Sequence, residues 1–128
     1  SERSVLEKQP GITVVSGKQL QKFTFRMNEE ELNKLRNYNN EMLDKLFEMA
    51  KDYDMLVLDE SVYSIDKNLL DENKLIEHLE KKPFALEVVL SGRNPSEALK
   101  DHADYVSEIR KVKHPFDQGI SSRIGIEM

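Results

Sequence analysis

A chain of 128 residues is long enough for one compact domain with a single core and too short for two ordinary ones. Hydrophobic residues make up 38% and charged residues 34%, so a core can form beneath a heavily ionised surface, while 19 basic against 24 acidic residues, a net charge of −5, argue against gripping nucleic acid as its main work. The absence of cysteine excludes disulfides, thiolate zinc sites and cysteine nucleophiles and suits a reducing cytoplasm, and no apolar stretch approaches the roughly 20 residues of a membrane span.

Gly11-Ile12-Thr13-Val14-Val15-Ser16 is a β-branched run between Pro10 and Gly17 and predicts a strand. Lys22 to Met27 alternates Phe23 and Phe25 with polar neighbours, which predicts a short extended segment with both rings on one side. Asn28 followed by Glu31 is a capping-box pattern. Behind it Leu32, Leu35, Met42, Leu43, Leu46, Phe47 and Ala50 recur at helical spacing, so a long amphipathic helix is expected to about Lys51.

Met55-Leu56-Val57-Leu58 is apolar at every position and ends in Asp59-Glu60, the pattern of a strand buried on both faces of a parallel sheet. Phe84 to Leu90, ending in Ser91-Gly92-Arg93, is a second such run. Between them Asp71 to Lys82 carries Leu75, Ile76 and Leu79 on one face, with Pro83 as a stop, so strand, helix and strand are expected to form a right-handed βαβ crossover. Asn94-Pro95-Ser96-Glu97 supplies a cap, a proline at the first helical position and a glutamate at the third for a short helix toward Ala103. Tyr105 to Val112 alternates and predicts a last strand, and the tail from Lys113 is loop-like with Pro115 and Gly119. The expected fold over residues 1–128 is a single α/β domain with a mostly parallel sheet flanked by helices.

In open parallel sheets ligands collect at the carboxyl ends of the strands, where this chain places Asp59, Glu60 and Arg93. An apolar strand ending in acids fits a carboxylate that holds Mg²⁺ beside nucleotide phosphates, and equally a strand that simply ends in solvated acids. Arg93, after a glycine that permits a sharp turn, could reach phosphate oxygens or form a surface ion pair. His78, His102 and His114 show no spacing that brings two of them to one metal with a carboxylate, and His78 sits among charged residues on an expectedly solvated face. The runs Glu29-Glu30-Glu31 and Lys81-Lys82 suit a helix start and a helix end through the dipole. Lys113-His114-Pro115-Phe116-Asp117 carries more functional groups than a connecting loop needs.

Leu56-Val57-Leu58-Asp59-Glu60, Val89-Leu90-Ser91-Gly92-Arg93, Ala103-Asp104, Val112-Lys113-His114-Pro115-Phe116-Asp117, Gly119-Ile120 and Gly125-Ile126-Glu127 resemble, in order and spacing, the P-loop-type ATP:cob(I)alamin (corrinoid) adenosyltransferases. The similarity runs from about Val5 onward. Phe23-Thr24-Phe25 matches that family's aromatic, threonine, aromatic segment, although its second aromatic is commonly tryptophan. The resemblance implies a P-loop NTPase (RecA-like) fold and a cytoplasmic enzyme that transfers the 5′-deoxyadenosyl group of ATP to the cobalt of reduced cobalamin or another corrinoid and releases triphosphate. By the same resemblance Glu60, with Asp59 beside it, serves the Mg²⁺ of ATP. Arg93 lies near nucleotide or corrinoid, Lys113 and His114 join the binding residues, and Phe23 and Phe25 lie under the corrin, where rings offer cobalt no donor; without it, core packing is the plainer role for both rings. A homodimer is typical of the family, with room for an electron-donor protein.

One departure is large. Family members open with a strand, a glycine- and lysine-rich phosphate loop ending in threonine, and a helix, whereas none of Gly11, Gly17, Gly92, Gly119 and Gly125 opens a Gly-Lys-Thr turn. A missing unit of roughly 30 to 60 residues is therefore expected outside these 128 residues, in preference to a member that has lost its ATP site. The alternative is a non-catalytic corrinoid-binding or subunit-interaction module.

Overall fold

Caps and apolar spacing decide where the helices of this chain begin and end. In the computed structural model, which describes residues 2–18, 20 and 23–124, the elements are helix α1 (Glu2–Leu6), helix α2 (Glu29–Met49), strand β1 (Met55–Leu58), helices α3 (Ser61–Asp66) and α4 (Glu72–Lys81), strand β2 (Glu87–Leu90) and helix α5 (Glu97–Asp101). Single 3-10 turns form at Thr24–Arg26, Ala50–Asp52 and Pro115–Gln118. The residues group into two compact units, one of Gly17–Val106 and one of the described parts of Ser1–Ser16 and Ser107–Met128.

In the larger unit, Asn28 caps α2 through a complete capping box. Its Oδ1 accepts from the Glu31 amide at 2.9 Å, and the Glu31 carboxylate accepts from the Asn28 amide at 3.4 Å. Such a cap contributes about 1 kcal/mol, and Glu29, Glu30 and Glu31 add negative charge where the helix dipole is positive. The apolar stripe buries Leu35, Leu43 and Phe47. Helix α4 is capped by Asp71, whose side chain accepts from the Asn73 and Lys74 amides, and it buries Leu75 completely. Removing a leucine side chain from water is worth about 1.5–3 kcal/mol.

Strands β1 and β2 pair in parallel, Met55 with Glu87 through Leu58 with Leu90, so the chain must cross over between them, and α3 and α4 form that crossover. Leu56, Leu58, Val88 and Leu90 face a core of Leu43, Phe47, Val62, Leu70, Leu75 and Leu99. The opposite face is open: Met55, Val57 and Val89 are 54%, 57% and 42% exposed. The strands expected to be buried on both faces are thus covered on one. The α/β class and the parallel pairing agree with the sequence reading.

Polar residues of α2 hold the connection from α3 to α4. Arg36 Nε donates to the Asn68 carbonyl at 2.6 Å, Asn39 to the Leu69 carbonyl at 2.9 Å, and the Asp71 amide donates to Asn40 at 2.9 Å. His78, expected to be solvated, instead stacks on Phe47 with ring centroids 4.5 Å apart and meets Asp44 at 2.7 Å. Lys74 joins the same carboxylate at 2.8 Å; its hydrogen bond, then that of His78, holds the Asp44 carboxyl below its ordinary value. The Asp44 contribution is therefore present above the ordinary carboxylate pKa and fades as pH falls through the lowered one. His102 meets the Ala98 carbonyl at 2.8 Å and Glu80 at 3.0 Å through its two ring nitrogens, a pattern that favours the imidazolium and raises its pKa, the carbonyl contributing most. That contact ties α5 to α4.

Several expectations fail for physical reasons. Residues 11–16 form no strand, and Tyr105 to Val112 remains unpaired, because neither segment has a ladder partner among the described residues. Thr24–Arg26 is a 3-10 turn instead of an extended segment; Lys22 and the Gly125-Ile126-Glu127 motif lie outside the described residues. Helix α5 is capped by Ser96, whose hydroxyl accepts from the Leu99 amide at 3.0 Å, so Asn94 and Pro95 precede the helix and Glu97 is its first residue.

Candidate functional site

The carboxyl ends of β1 and β2 are joined by a small set of hydrogen bonds. Beyond Leu58, Asp59 leads into Glu60, which adopts the left-handed conformation (φ 56°, ψ 17°) and precedes α3. A left-handed non-glycine residue is costly, and surrounding bonds must hold it. Here the Glu60 amide donates to Ser91 Oγ at 3.0 Å, and the Glu60 carbonyl accepts from the Ser64 amide at 3.0 Å and from its hydroxyl at 3.2 Å. Ser91 Oγ in turn donates to Asp59 Oδ1 at 2.6 Å. The backbones are also locked: the Ser91 amide donates to the Leu58 carbonyl at 3.3 Å, and the Val62 amide donates to the Ser91 carbonyl at 3.1 Å.

Gly92 follows with φ 142°, and a Cβ built there would lie 2.6 Å from the Tyr63 nitrogen and 2.8 Å from Val62 Cβ. Only glycine lets the β2 end approach α3 this closely. Arg93 and Asn94, the latter also left-handed at φ 57°, complete the turn. The guanidinium of Arg93 and the carboxylate of Glu60 are exposed and make no hydrogen bond or ion pair among the described residues. Asp59, Glu60 and the turn carrying Arg93 thus lie at neighbouring strand ends, as the sequence reading expects. No group of three or more His, Asp or Glu suited to hold a metal occurs among the described residues. Two carboxylates with hard oxygen donors fit a cation that keeps most of its ligands as water and phosphate better than an all-protein cage.

Phe23 and Phe25 bracket Thr24 with ring centroids 5.4 Å apart and planes 9° from parallel, an offset-stacked pair. They are 66% and 78% exposed, so core packing does not explain them. The Arg26 guanidinium lies 5.6 Å from the Phe25 centroid. Helix α3, Ser91's bridging hydroxyl and the steric demand at Gly92 were not apparent from sequence. The only signal was Ser-Gly directly after an apolar strand.

Lys113 and His114 belong to the smaller unit. His114 Nδ1 accepts from the Phe116 amide at 3.1 Å, which fixes the neutral ring as the Nε2–H tautomer. Gly119, left-handed at φ 82°, closes the 3-10 turn, and Lys111 pairs with Asp117 at 2.9 Å. A shallow cavity of about 270 Å³ lies beside His114, Phe116, Ile120 and Ser122. Lys113 is exposed.

Among the described residues no helix is long and apolar enough to cross a membrane. Compared with known proteins, the chain matches over residues 1–128 a family model described as ATP:corrinoid adenosyltransferase BtuR/CobO/CobP. It is 36% identical over 74 residues to a corrinoid adenosyltransferase of Escherichia coli K12 and 39% identical over 74 residues to the corrinoid adenosyltransferase CobA of Salmonella typhimurium LT2; each match covers 58% of this chain and 38% of the relative. A Sinorhizobium corrinoid adenosyltransferase is 37% identical over 93 residues, which cover 67% of this chain and 44% of that protein. The chain thus spans less than half the length of these relatives. With the match running through both strand ends, the aromatic pair and the His114 turn, the chain belongs to the ATP:corrinoid adenosyltransferase family.

Proposed function

We propose that these residues are the carboxyl-terminal portion of an enzyme of P-loop NTPase type that transfers the 5′-deoxyadenosyl group of ATP to the cobalt of reduced cobalamin or another corrinoid. The observation that carries the reading is the pair of strand ends, where the exposed Glu60 carboxylate stands beside the turn of the exposed Arg93, neither side chain bonded among the described residues, in a chain of this family. In the reaction the electron pair of Co(I) forms the Co–C5′ bond, the C5′–O bond breaks, and its electrons leave with triphosphate. The protein therefore needs no nucleophile of its own. Its work is to position C5′ over cobalt and stabilise the leaving group.

Glu60 is assigned to the Mg²⁺ that accompanies ATP, with Asp59 acting directly or through water. When bound, the cation neutralises charge growing on the triphosphate. Arg93 offers a fork of donors to phosphate or corrinoid oxygens. Phe23 and Phe25 present an apolar stacked pair suited to the lower face of a corrin, where they would exclude water and nitrogen bases from cobalt and ease reduction of Co(II). Lys113 and the Nε2–H of His114 supply a cation and a donor for the polar rim of a substrate. The phosphate loop is assigned to chain outside these 128 residues, and the working unit to a cytoplasmic homodimer served by an electron donor. A second reading, a corrinoid-binding or subunit-interaction module without catalysis, draws on the lack of a Gly-Lys-Thr turn in these residues.

Glu60→Gln tests the assignment, since it keeps size and removes the charge that a hard cation needs. The Mg²⁺ concentration for half-maximal ATP use in the protein of complete natural sequence should rise about tenfold or more, with an unchanged melting temperature. A Mg²⁺ curve equal to the parent's would return Glu60 to a solvated strand end.

A further inference from the structure

Ser91 is the residue at which the two strand ends meet, and its hydroxyl has a fixed direction. An amide can only donate, so toward Glu60 the Ser91 oxygen is an acceptor, at 3.0 Å. Its one proton is then committed to Asp59 Oδ1, and 2.6 Å is the length of a charge-assisted O–H···O⁻ bond. Ser91 itself cannot drift, because its amide is bonded to Leu58 and its carbonyl to the Val62 amide. One hydroxyl thus occupies one oxygen of Asp59 and holds the amide that keeps Glu60 left-handed.

Resting on the reading of Asp59 and Glu60 as the cation-serving pair, we infer that Ser91 is a positioning residue that engages the Asp59 carboxylate and fixes the Glu60 backbone, leaving the Glu60 carboxylate as the uncommitted oxygen donor. An ordinary strand-end bond would need only one of these contacts. The double contact couples the acid pair to the β2 end, and through the adjoining Gly92 to the turn bearing Arg93. Outer partners of this kind tune cation affinity without touching the cation.

The test uses Ser91→Ala and Ser91→Thr in the protein of complete natural sequence, with two readouts. Without metal or nucleotide, amide hydrogen exchange at Glu60 should quicken about tenfold in Ser91→Ala, the loss of a bond worth about 1.4 kcal/mol, while exchange at Val62 stays as in the parent. With ATP present, the Mn²⁺ concentration for half-saturation, followed by electron paramagnetic resonance, should rise about tenfold in Ser91→Ala and return toward the parent in Ser91→Thr, which restores the hydroxyl. Unchanged Glu60 exchange, or a Ser91→Ala binding curve equal to the parent's while Glu60→Gln shifts it, overturns the role of Ser91 alone. A threonine variant no better than alanine does the same. If Glu60→Gln also leaves Mn²⁺ binding unchanged, the cation reading fails, and the role of Ser91 with it.

Discussion

Replacing Gly92 by alanine is expected to destabilise the larger unit by about 3 kcal/mol or more. Two costs combine: a backbone conformation that side chains rarely adopt, at about 1–3 kcal/mol, and an overpacked contact of similar size. The added carbon would lie 2.6 Å from the Tyr63 backbone nitrogen, so relief requires the β2 end to separate from α3. That separation would also pull the Ser91 carbonyl from the Val62 amide and disturb Glu60. Gly17→Ala is the control, since nothing lies within 4 Å of the added carbon, and it should stay within about 0.5 kcal/mol of the parent. Urea unfolding at constant slope measures both. A Gly92→Ala protein as stable as Gly17→Ala would mean that the β2 end does not approach α3 as closely as described.

The second large effect falls on Phe23 and Phe25. Were they core residues, truncation would cost about 3–5 kcal/mol; exposed as they are, either alanine variant should change stability by about 0.5 kcal/mol at most. Their proposed role beneath the corrin acts on the reduction of Co(II), which losing the lower ligand favours. Adenosylation starting from Co(II) should therefore fall on the order of tenfold, about 1.4 kcal/mol on that step, whereas the reaction from chemically prepared Co(I) changes little. The ratio of the two rates, corrected for folded protein by a thermal melt, is the decisive quantity. An unchanged ratio in both variants removes the rings from the axial chemistry. Phe25→Trp, which introduces the aromatic common in the family, should preserve or raise the Co(II) rate.

How much of this was legible in the sequence depends on how local each determinant is. Helices α2 and α4 announce themselves through Asn28, Asp71 and apolar residues at helical spacing, because caps and periodicity act within a turn or two. The strands were legible as apolar runs closed by Asp59-Glu60 and Ser91-Gly92, although only one of their faces is covered. Helix α3 was not: it has no side-chain cap, and the Val62 bond that anchors its start comes from Ser91, distant in sequence. Ile12 to Val15 and Tyr105 to Val112 carry strand-like residues, but a strand is a property of a pair, and no partner occurs among the described residues. At the site, residue types marked Asp59, Glu60 and Arg93; the Ser91 hydroxyl's double contact and the stacking of Phe23 on Phe25 became visible only in three dimensions.

The most direct measurement is anaerobic turnover of a chemically prereduced Co(I) corrinoid with MgATP, following the adenosylated corrinoid by absorbance and the released triphosphate by chromatography. The protein of complete natural sequence should form one Co–C bond for each triphosphate released, and the 128-residue chain alone should give at most a trace. A complete protein with an intact phosphate loop and no adenosylated product would contradict the enzyme reading and favour a binding module. Full turnover by the 128 residues alone would instead contradict the assignment of ATP's phosphates to a loop outside them.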